Sequence, residues 1–397
     1  MTDRFLLQRT IDMAEARRGS GRVGFGEPVP TGRSRQDGLA QYLVGDGYAY
    51  ADPPQRVDSE IYLAADSVGF ASFVQRLRLR GRVLELGSGS GVVSARLART
   101  CAHVTAVDNS AEAVRASRAT LRGESSPARF DVVHGDLFEV LEKTDPVDAV
   151  VANLPFVPVP DGVAYRGYGA GGPTGLGVVE RVLEILPGHL TRRSTVCLKL
   201  HCALADGPLV AGPLRRFLAR VGHAACLVID GDVPMGFRAG QSALNAADLN
   251  PGRPDLLEVF DRHYADLGDT FASMVIVTAP ADADGMRDPG TLKVVDQRPM
   301  PSWSVSAPPT SLPRVLRRYG VLTARMPEGY SELGTAAMVD EVAVHAQDVL
   351  RVAADGGSLL RCAYEALPGV AEMDPVRARG YVVPVAQLRR AARMEFA

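Results

Sequence analysis

Lysine is nearly absent from this 397-residue chain: Lys143, Lys199 and Lys293 are the only ones, and arginine supplies the other basic side chains. With 44 basic against 46 acidic residues the formal net charge is −2, so the chain carries no field that would gather a polyanion. That argues against nucleic acid as a partner, because phosphate binding needs many cationic contacts. The arginine bias itself reads as the base composition of a GC-rich coding sequence. Cysteine is sparse too. Cys101, Cys197, Cys202, Cys226 and Cys362 show no CxxC spacing, which fits buried free thiols in a reducing compartment. No His, Cys and carboxylate residues stand at metal-ligand spacing, so no metal is expected. The opening MTDRFLLQRT has a three-residue apolar run, too short for a signal peptide. No stretch reaches the roughly 20 apolar residues of a membrane span. These absences predict a soluble, cytoplasmic protein without a membrane partner.

What the chain has in quantity is apolar surface, 46% of residues against 23% charged. At this length that is enough for one full core and room for a second. Residues 1 to about 20 read as a helix, followed by a glycine- and proline-rich segment and then Tyr42, Tyr48 and Tyr50. The tyrosines read as packing aromatics, with a lid over a ligand as the alternative. Val57 to Leu79 reads as a helix. From Arg82 the pattern alternates strand and helix, which predicts a doubly wound α/β sheet of seven mostly parallel strands. The strands are expected at 82–85, 103–107, 129–133, 148–152, 195–200, 224–229 and 271–278. Between the last two lie about forty residues, more than a hairpin needs. The expected divisions are 1–56, an N-terminal helical and lid segment; 57–279, the central domain with an insert at 232–270; and 280–397, a C-terminal accessory region. In that last region, Pro299–Pro313 around Trp303 reads as a connector, with helical stretches at 336–353 and 387–393.

The chain is organised around VLELGSGSGVV, residues 83–93. A buried strand ends at Glu85, and Gly87, Gly89 and Gly91 follow at alternate positions with Ser88 between them. Glycine has no Cβ, so such a turn lets backbone N–H groups approach a ligand. The spacing departs from the dinucleotide fingerprint, since the third glycine comes one residue early for GxGxxG. Asp108, followed by Asn109, ends the second strand beside this turn, where a carboxylate can accept both hydroxyls of a ribose. Gly135–Asp136–Leu137–Phe138 follows the third strand at the same edge. Asp136 there can accept from an adenine amine while Leu137 packs on the ring; the alternative is a plain turn aspartate. His103, His134 and His201 are flanked by strand residues and read as satisfied core or edge histidines. Asp58 and Glu60 form an acidic segment just before the core.

The fourth strand runs into Asn153–Leu154–Pro155–Phe156. With ELGSGSG, AVD and GDLF ahead of it, in that order, the chain resembles class I S-adenosylmethionine-dependent methyltransferases over roughly residues 57–230. The tetrapeptide resembles the Asn-Pro-Pro-Tyr motif of their amino-methylating branch. The resemblance implies S-adenosylmethionine as cofactor, with the glycines at its methionine end, Glu85 orienting the turn, and Ser88, Asp108, Asn109, Asp136 and Leu137 along it. It also implies that the Asn153 side-chain oxygen and the Leu154 carbonyl accept two hydrogens from a planar NH2, with Pro155 shaping the turn and Phe156 against the substrate. Asn153 stands beside both the cofactor and the acceptor. An amide or arylamine nitrogen has a delocalised lone pair, so fixed acceptors act by orientation and electrostatics rather than as a base.

Two subfamilies remain open. Asn-Leu-Pro-aromatic is also the form found in ribosomal RNA adenine dimethyltransferases. The run Ala170–Gly171–Gly172–Pro173–Thr174–Gly175–Leu176 is similar instead to protein-glutamine methyltransferases of the release-factor-modifying type. This chain departs from that type in its insert, its long tail and its glycine- and proline-rich N-terminal segment. The resemblance thus implies an N-methyltransferase acting on an amide, amine or guanidine of a small molecule or protein. The alternatives are an RNA or DNA adenine methyltransferase, and a cofactor-binding subunit without turnover, for which a broken acceptor motif would be expected. Tyr165 and Tyr168 follow the motif and are candidate substrate contacts. The tail or the insert is expected to complete the substrate pocket or to make a homodimer contact.

Overall fold

The computed structural model describes residues 6–296 apart from 20–28, 35–37, 45, 53–59, 62, 64, 124–128, 205–207, 209, 248, 254, 269 and 282–287. The expectations placed on Asp58, Trp303, Cys362 and the rest of 297–397 lie outside the described residues.

The chain opens with helix α1 (Leu6–Gly19) and then forms β1 (Val29–Ser34), β2 (Ala40–Val44) and β3 (Gly47–Ala51). These three strands make a small antiparallel sheet, which the expected helical segment did not include. Turn-rich sequence with short apolar alternation hides such a sheet, because each strand is too brief to show a period. Tyr42 and Tyr50 are buried in it, as packing aromatics, while Tyr48 is 50% exposed.

Helix α2 (Ala65–Leu77) leads into β4 (Arg82–Leu86), α3 (Val92–Leu97), β5 (His103–Asp108), α4 (Ala111–Arg122), β6 (Arg129–His134), α5 (Leu137–Glu142) and β7 (Val147–Asn153). Then come α6 (Gly177–Ile185), a 3-10 turn, β8 (Leu190–Leu204), α7 (Ala211–Val221) and β9 (His223–Pro234). The insert folds as α8 (Met235–Ala247) and α9 (Leu256–Ala265), and the chain returns through β10 (Thr270–Pro280) to β11 (Leu292–Asp296). All seven expected strands are present. The large sheet has an eighth, β11, from beyond the expected boundary at 279, and its order is β11-β9-β10-β8-β7-β4-β5-β6. β10 runs antiparallel to both its neighbours, and the other pairings are parallel.

Strand side chains alternate between two cores. Val83, Val104, Ala149, Val151 and Cys197 join the core shared with α2 and the small sheet. Leu84, Leu86, Val150, Ala152, Val196 and Leu198 join the core under α6 and α7. This is the period of two that a sheet covered on both faces requires. Helix α7 contributes Leu214, Phe217 and Leu218, one stripe at three- and four-residue spacing. Burying a side chain such as Phe217 stabilises the layer by about 2–3 kcal/mol. Because β4, β5, β6 and β7 are parallel, Leu86, Asp108, His134 and Asn153 end on one edge of the sheet. The glycine turn, Asp108, Asp136 and Asn153 therefore share that edge.

Candidate active site

Gly87, Gly89 and Gly91 all have left-handed backbones, with φ of 71°, 51° and 75°, a region that side-chain-bearing residues rarely adopt. The sequence suggested amides free to approach a ligand, and four of the turn's amides have partners within the chain. Gly87 and Ser88 donate to the Val107 carbonyl at 2.9 and 3.0 Å, Gly89 donates to Asp108 Oδ2 at 2.8 Å, and Gly91 donates to the Ser88 carbonyl at 2.8 Å. Left-handed glycines fold the turn back on β5, which takes up the Gly87, Ser88 and Gly89 donors. What the turn leaves is room. A Cβ on Gly87 would have its nearest neighbour, the Asn153 carbonyl oxygen, at 3.8 Å. A Cβ on Gly91 would instead stand 2.7 Å from Ser117 Cα, so Gly91 is there to let α4 approach.

Helix α4 then clasps the turn. Ser117 Oγ donates to Ser88 Oγ at 2.9 Å and lies 3.0 Å from the Gly89 carbonyl, and Thr120 Oγ1 donates to the Ser90 carbonyl at 2.7 Å. Ser88, expected along the cofactor, is only 5% exposed and has its hydroxyl committed to α4. The Tyr50 amide donates to Thr120 Oγ1 at 2.9 Å, which ties the small sheet to the same helix.

Glu85 is buried beneath the turn and accepts from Ser94 Oγ on α3. Burial, opposed by that hydrogen bond and reinforced by the charge of Asp108, pushes its carboxyl up to about 8. Asp108 holds the Gly89 amide with Oδ2 and the Ser110 amide with Oδ1 at 2.9 Å. A carboxylate oxygen has two lone pairs, so each can still accept one ribose hydroxyl. Asn109 is exposed beside it and its carbonyl meets His134 Nε2 at 3.1 Å. Asp136 caps α5, its Oδ1 accepting from the amides of Phe138 and Glu139 at 2.9 and 3.2 Å. The turn-aspartate alternative therefore describes one of its oxygens, and Oδ2 has no partner among the described residues. Leu137 is half-buried against the α6–α7 core, and Arg181 lies 3.8 Å above the Phe138 ring.

On the other side of Gly87, Asn153 ends β7 with Oδ1 buried and without a hydrogen-bond partner. Leu154 is 1% exposed, and Pro155 and Phe156 are half-buried. The glycine-rich run after the motif folds back and clamps it. Val157 donates to the Gly169 carbonyl at 2.8 Å and accepts from the Gly171 amide at 2.9 Å. A Cβ on Gly175, whose φ is 77°, would stand 2.4 Å from the Phe156 carbonyl oxygen, and one on Gly171 2.4 Å from that of Gly175. Only glycine permits that contact.

The insert walls this loop from outside. Asn250 brackets Ala164, accepting from its amide at 3.0 Å and donating to its carbonyl at 2.8 Å, and His263 Nε2 meets the Pro173 carbonyl at 2.7 Å. Tyr165 lies 6.3 Å from the buried Phe260 ring, and burial pushes its hydroxyl upward in pKa. Tyr168 is 41% exposed. The insert thus packs against the loop that follows Asn153–Phe156.

Three polar residues around the motif were not assigned to the site from sequence. Lys199 pairs with Asn153 across β7 and β8, is 3% exposed, and donates to Ser273 Oγ. Arg238 on α8 lies 5.9 Å from the Phe156 ring and 5.6 Å from that of Phe271. His201, read as a satisfied histidine, has a buried Nε2 with no partner, and its ring stacks on Phe156 with centroids 4.2 Å apart. His103 and His134, by contrast, have partners in Asp131 and the Asn109 carbonyl. The signal was available in VCLKLHCAL, since a lysine and a histidine in an otherwise apolar strand are costly without a purpose.

Among the described residues no group of three or more His, Cys, Asp or Glu could hold a metal ion, and no helix is long and apolar enough to cross a membrane. Residues 83–166 match the model of a methyltransferase domain. The release factor glutamine methyltransferase of Bordetella pertussis is 35% identical over 92 residues, 23% of this chain and 33% of that protein. The ribosomal protein uL3 glutamine methyltransferase of the same organism is 30% identical over 142 residues, 33% of this chain and 47% of that protein. The ribosomal RNA small subunit methyltransferase C of Alcanivorax borkumensis is 42% identical over 76 residues, 19% of this chain and 22% of that protein. The chain spans less than half the length of each of these curated relatives. With the glycine turn, Asp108 and Asn153 on one sheet edge, these matches make the core of this chain a class I S-adenosylmethionine-dependent methyltransferase domain, similar over part of its length to two protein-glutamine methyltransferases and to a ribosomal RNA methyltransferase.

Proposed function

We propose that this chain methylates a planar NH2 nitrogen of a protein side chain or small molecule. The observation that carries the reading is Asn153 Oδ1, a buried acceptor without a donor at the point where the Gly87 turn opens. A buried polar atom left unpaired costs free energy, and a substrate N–H removes that cost on binding. The Leu154 carbonyl receives the second hydrogen, which fixes the nitrogen so that its lone pair faces the methyl group. Phe156 supplies the flat surface against which the acceptor lies. On the cofactor side, Asp108 receives the ribose hydroxyls, Asp136 Oδ2 the adenine amine, and Glu85 keeps the turn in place through α3. Bound S-adenosylmethionine supplies an electrophilic methyl group on sulfonium. The relatives that methylate glutamine support an amide acceptor.

Incubating the full chain with methyl-labelled cofactor and fractionated cell extract tests the proposal. The expected product carries one added methyl on nitrogen in a protein or small-molecule fraction, and Asn153→Ala loses it. Label confined to the RNA fraction, with binding that weakens steeply as salt rises, would put a nucleic-acid acceptor in its place.

A further inference from the structure

Thr120 on α4 is buried, and its hydroxyl makes two hydrogen bonds at once. It donates to the Ser90 carbonyl in the glycine turn at 2.7 Å and accepts the Tyr50 amide of β3 at 2.9 Å. One oxygen thus joins the small sheet to the turn at the cofactor edge. Ser90 and Tyr50 are buried too, so the relay is shielded from water. The rest of the β2–β3 hairpin grips the same region. Asp46, between the two strands, pairs with Arg96 and Arg99 at 2.6 and 2.7 Å, and Arg96 also donates to the Val44 carbonyl at 2.6 Å. Arg96 lies on α3, the helix that begins after Gly91 and carries Ser94, the donor to Glu85. The hairpin therefore holds both α3 and α4. Ser117, one helical turn before Thr120, meets Ser88 and Gly89 and receives nothing from the hairpin among the described residues.

We propose that the β2–β3 hairpin positions the glycine turn for cofactor binding, and that Thr120 is the positioning residue through which it acts. The inference lies on the cofactor side and is independent of which acceptor the chain methylates. Ser90 stands between Gly89 and Gly91, both left-handed. Glycine backbone is costly to order, so a hydrogen bond at the residue between them favours one shape of the turn. Without it the binding shape is populated for only part of the time, and the apparent affinity falls by that fraction. The coupling is reciprocal. If the hairpin steadies the turn for the cofactor, bound cofactor steadies the hairpin by the same factor. A contact that served the fold alone would change the melting temperature and leave ligand affinity where it was.

The test uses the full chain and S-adenosylhomocysteine, with calorimetry for affinity and amide hydrogen exchange for the hairpin. Thr120→Val keeps the side-chain shape and removes both hydrogen bonds. Affinity should fall about tenfold, the loss expected when buried polar groups are left unpaired. Thr120→Ser keeps the hydroxyl and should bind within about twofold of the unaltered chain. In the unaltered chain the ligand should slow exchange at the β3 amides, and in saturated Thr120→Val that slowing should be lost. Ser117→Ala loosens the turn without touching the hairpin, so it should weaken binding and keep the slowing. Unchanged affinity in a folded Thr120→Val, or hairpin exchange indifferent to ligand in the unaltered chain, overturns the proposal. Should Thr120→Val not fold, the exchange result in the unaltered chain decides alone. If the unaltered chain does not bind S-adenosylhomocysteine at all, the cofactor site itself falls and the role of Thr120 with it.

Discussion

The imidazole of His201 lies face to face with the phenyl ring of Phe156, their planes 3° from parallel. One ring comes from strand β8 and the other from the loop after β7, so the acceptor motif is fixed from the side by a neighbouring strand. Arg238 approaches the same Phe156 ring from the insert. The motif is thus positioned by three parts of the chain, only one of which is adjacent to it in sequence. A stacked aromatic pair gives about 0.5–1.5 kcal/mol beyond its buried area.

Asn153→Ala is expected to leave cofactor affinity nearly unchanged while lowering turnover about a hundred- to a thousandfold, the usual cost of one preorganised polar contact at a reacting centre. Asn153→Asp keeps an acceptor oxygen and should retain part of the rate. Phe156→Tyr should be tolerated, whereas Phe156→Ala should harm productive orientation. Single-turnover rates alongside calorimetry with S-adenosylhomocysteine separate the two quantities. Normal turnover in Asn153→Ala would reduce the motif to a proline-broken loop.

Asp108→Asn disturbs the turn less than alanine, because it leaves an acceptor for one of the two amides, Gly89 and Ser110, that the carboxylate holds. The amide keeps one acceptor and loses the charge, so cofactor affinity should fall by about 1.5–3 kcal/mol. Calorimetry at fixed salt measures it, with a thermal melt to account for any loss of the turn. Unchanged affinity would remove Asp108 from the ribose site.

Two glycines of the same conformation separate strain from contact. Gly162, with φ of 73° and nothing within 4 Å of its would-be Cβ, should cost only about 1–2 kcal/mol of stability as alanine. Gly175→Ala also drives a Cβ to 2.4 Å from the Phe156 carbonyl. It should therefore displace the motif and lower turnover about tenfold or more, with cofactor affinity kept. Equal kinetics in the two variants would show that the loop gives way without moving Phe156.

Glu85 predicts a pH dependence of its own. Its carboxyl is raised from 4.5 to about 8 in the folded chain. Between those values the folded state keeps a proton that the unfolded state has released, so stability falls as pH rises. Above pH 6.5 His201 is neutral folded and mostly neutral unfolded, and the slope from Glu85 stands clear. Between pH 6.5 and 7.5 it contributes a loss of about 1 kcal/mol, close to the full value for one proton. Urea unfolding of the unliganded chain should show that loss, and Glu85→Gln should abolish it. The same slope in both proteins would assign the effect to another group.

The sequence by itself determined the sheet and the row of groups along its edge. Glycines at 87, 89 and 91, Asp108 and Asn153 each follow a strand, and parallel strands must end on one side. Local chemistry carried those readings: apolar runs for buried strands, Ser110 for the start of α4, glycine where the backbone turns left-handed. Only the tertiary structure decided what surrounds Asn153 and Phe156. His201 and Arg238 reach Phe156, and Lys199 comes beside Asn153, through strand register and the packing of the insert, across spacings that no local pattern encodes. It also decided where the Gly87, Ser88 and Gly89 amides go, to Val107 and Asp108 on β5. A hydrogen bond between neighbouring strands depends on which strands become neighbours, and the buried core settles that for the whole chain at once.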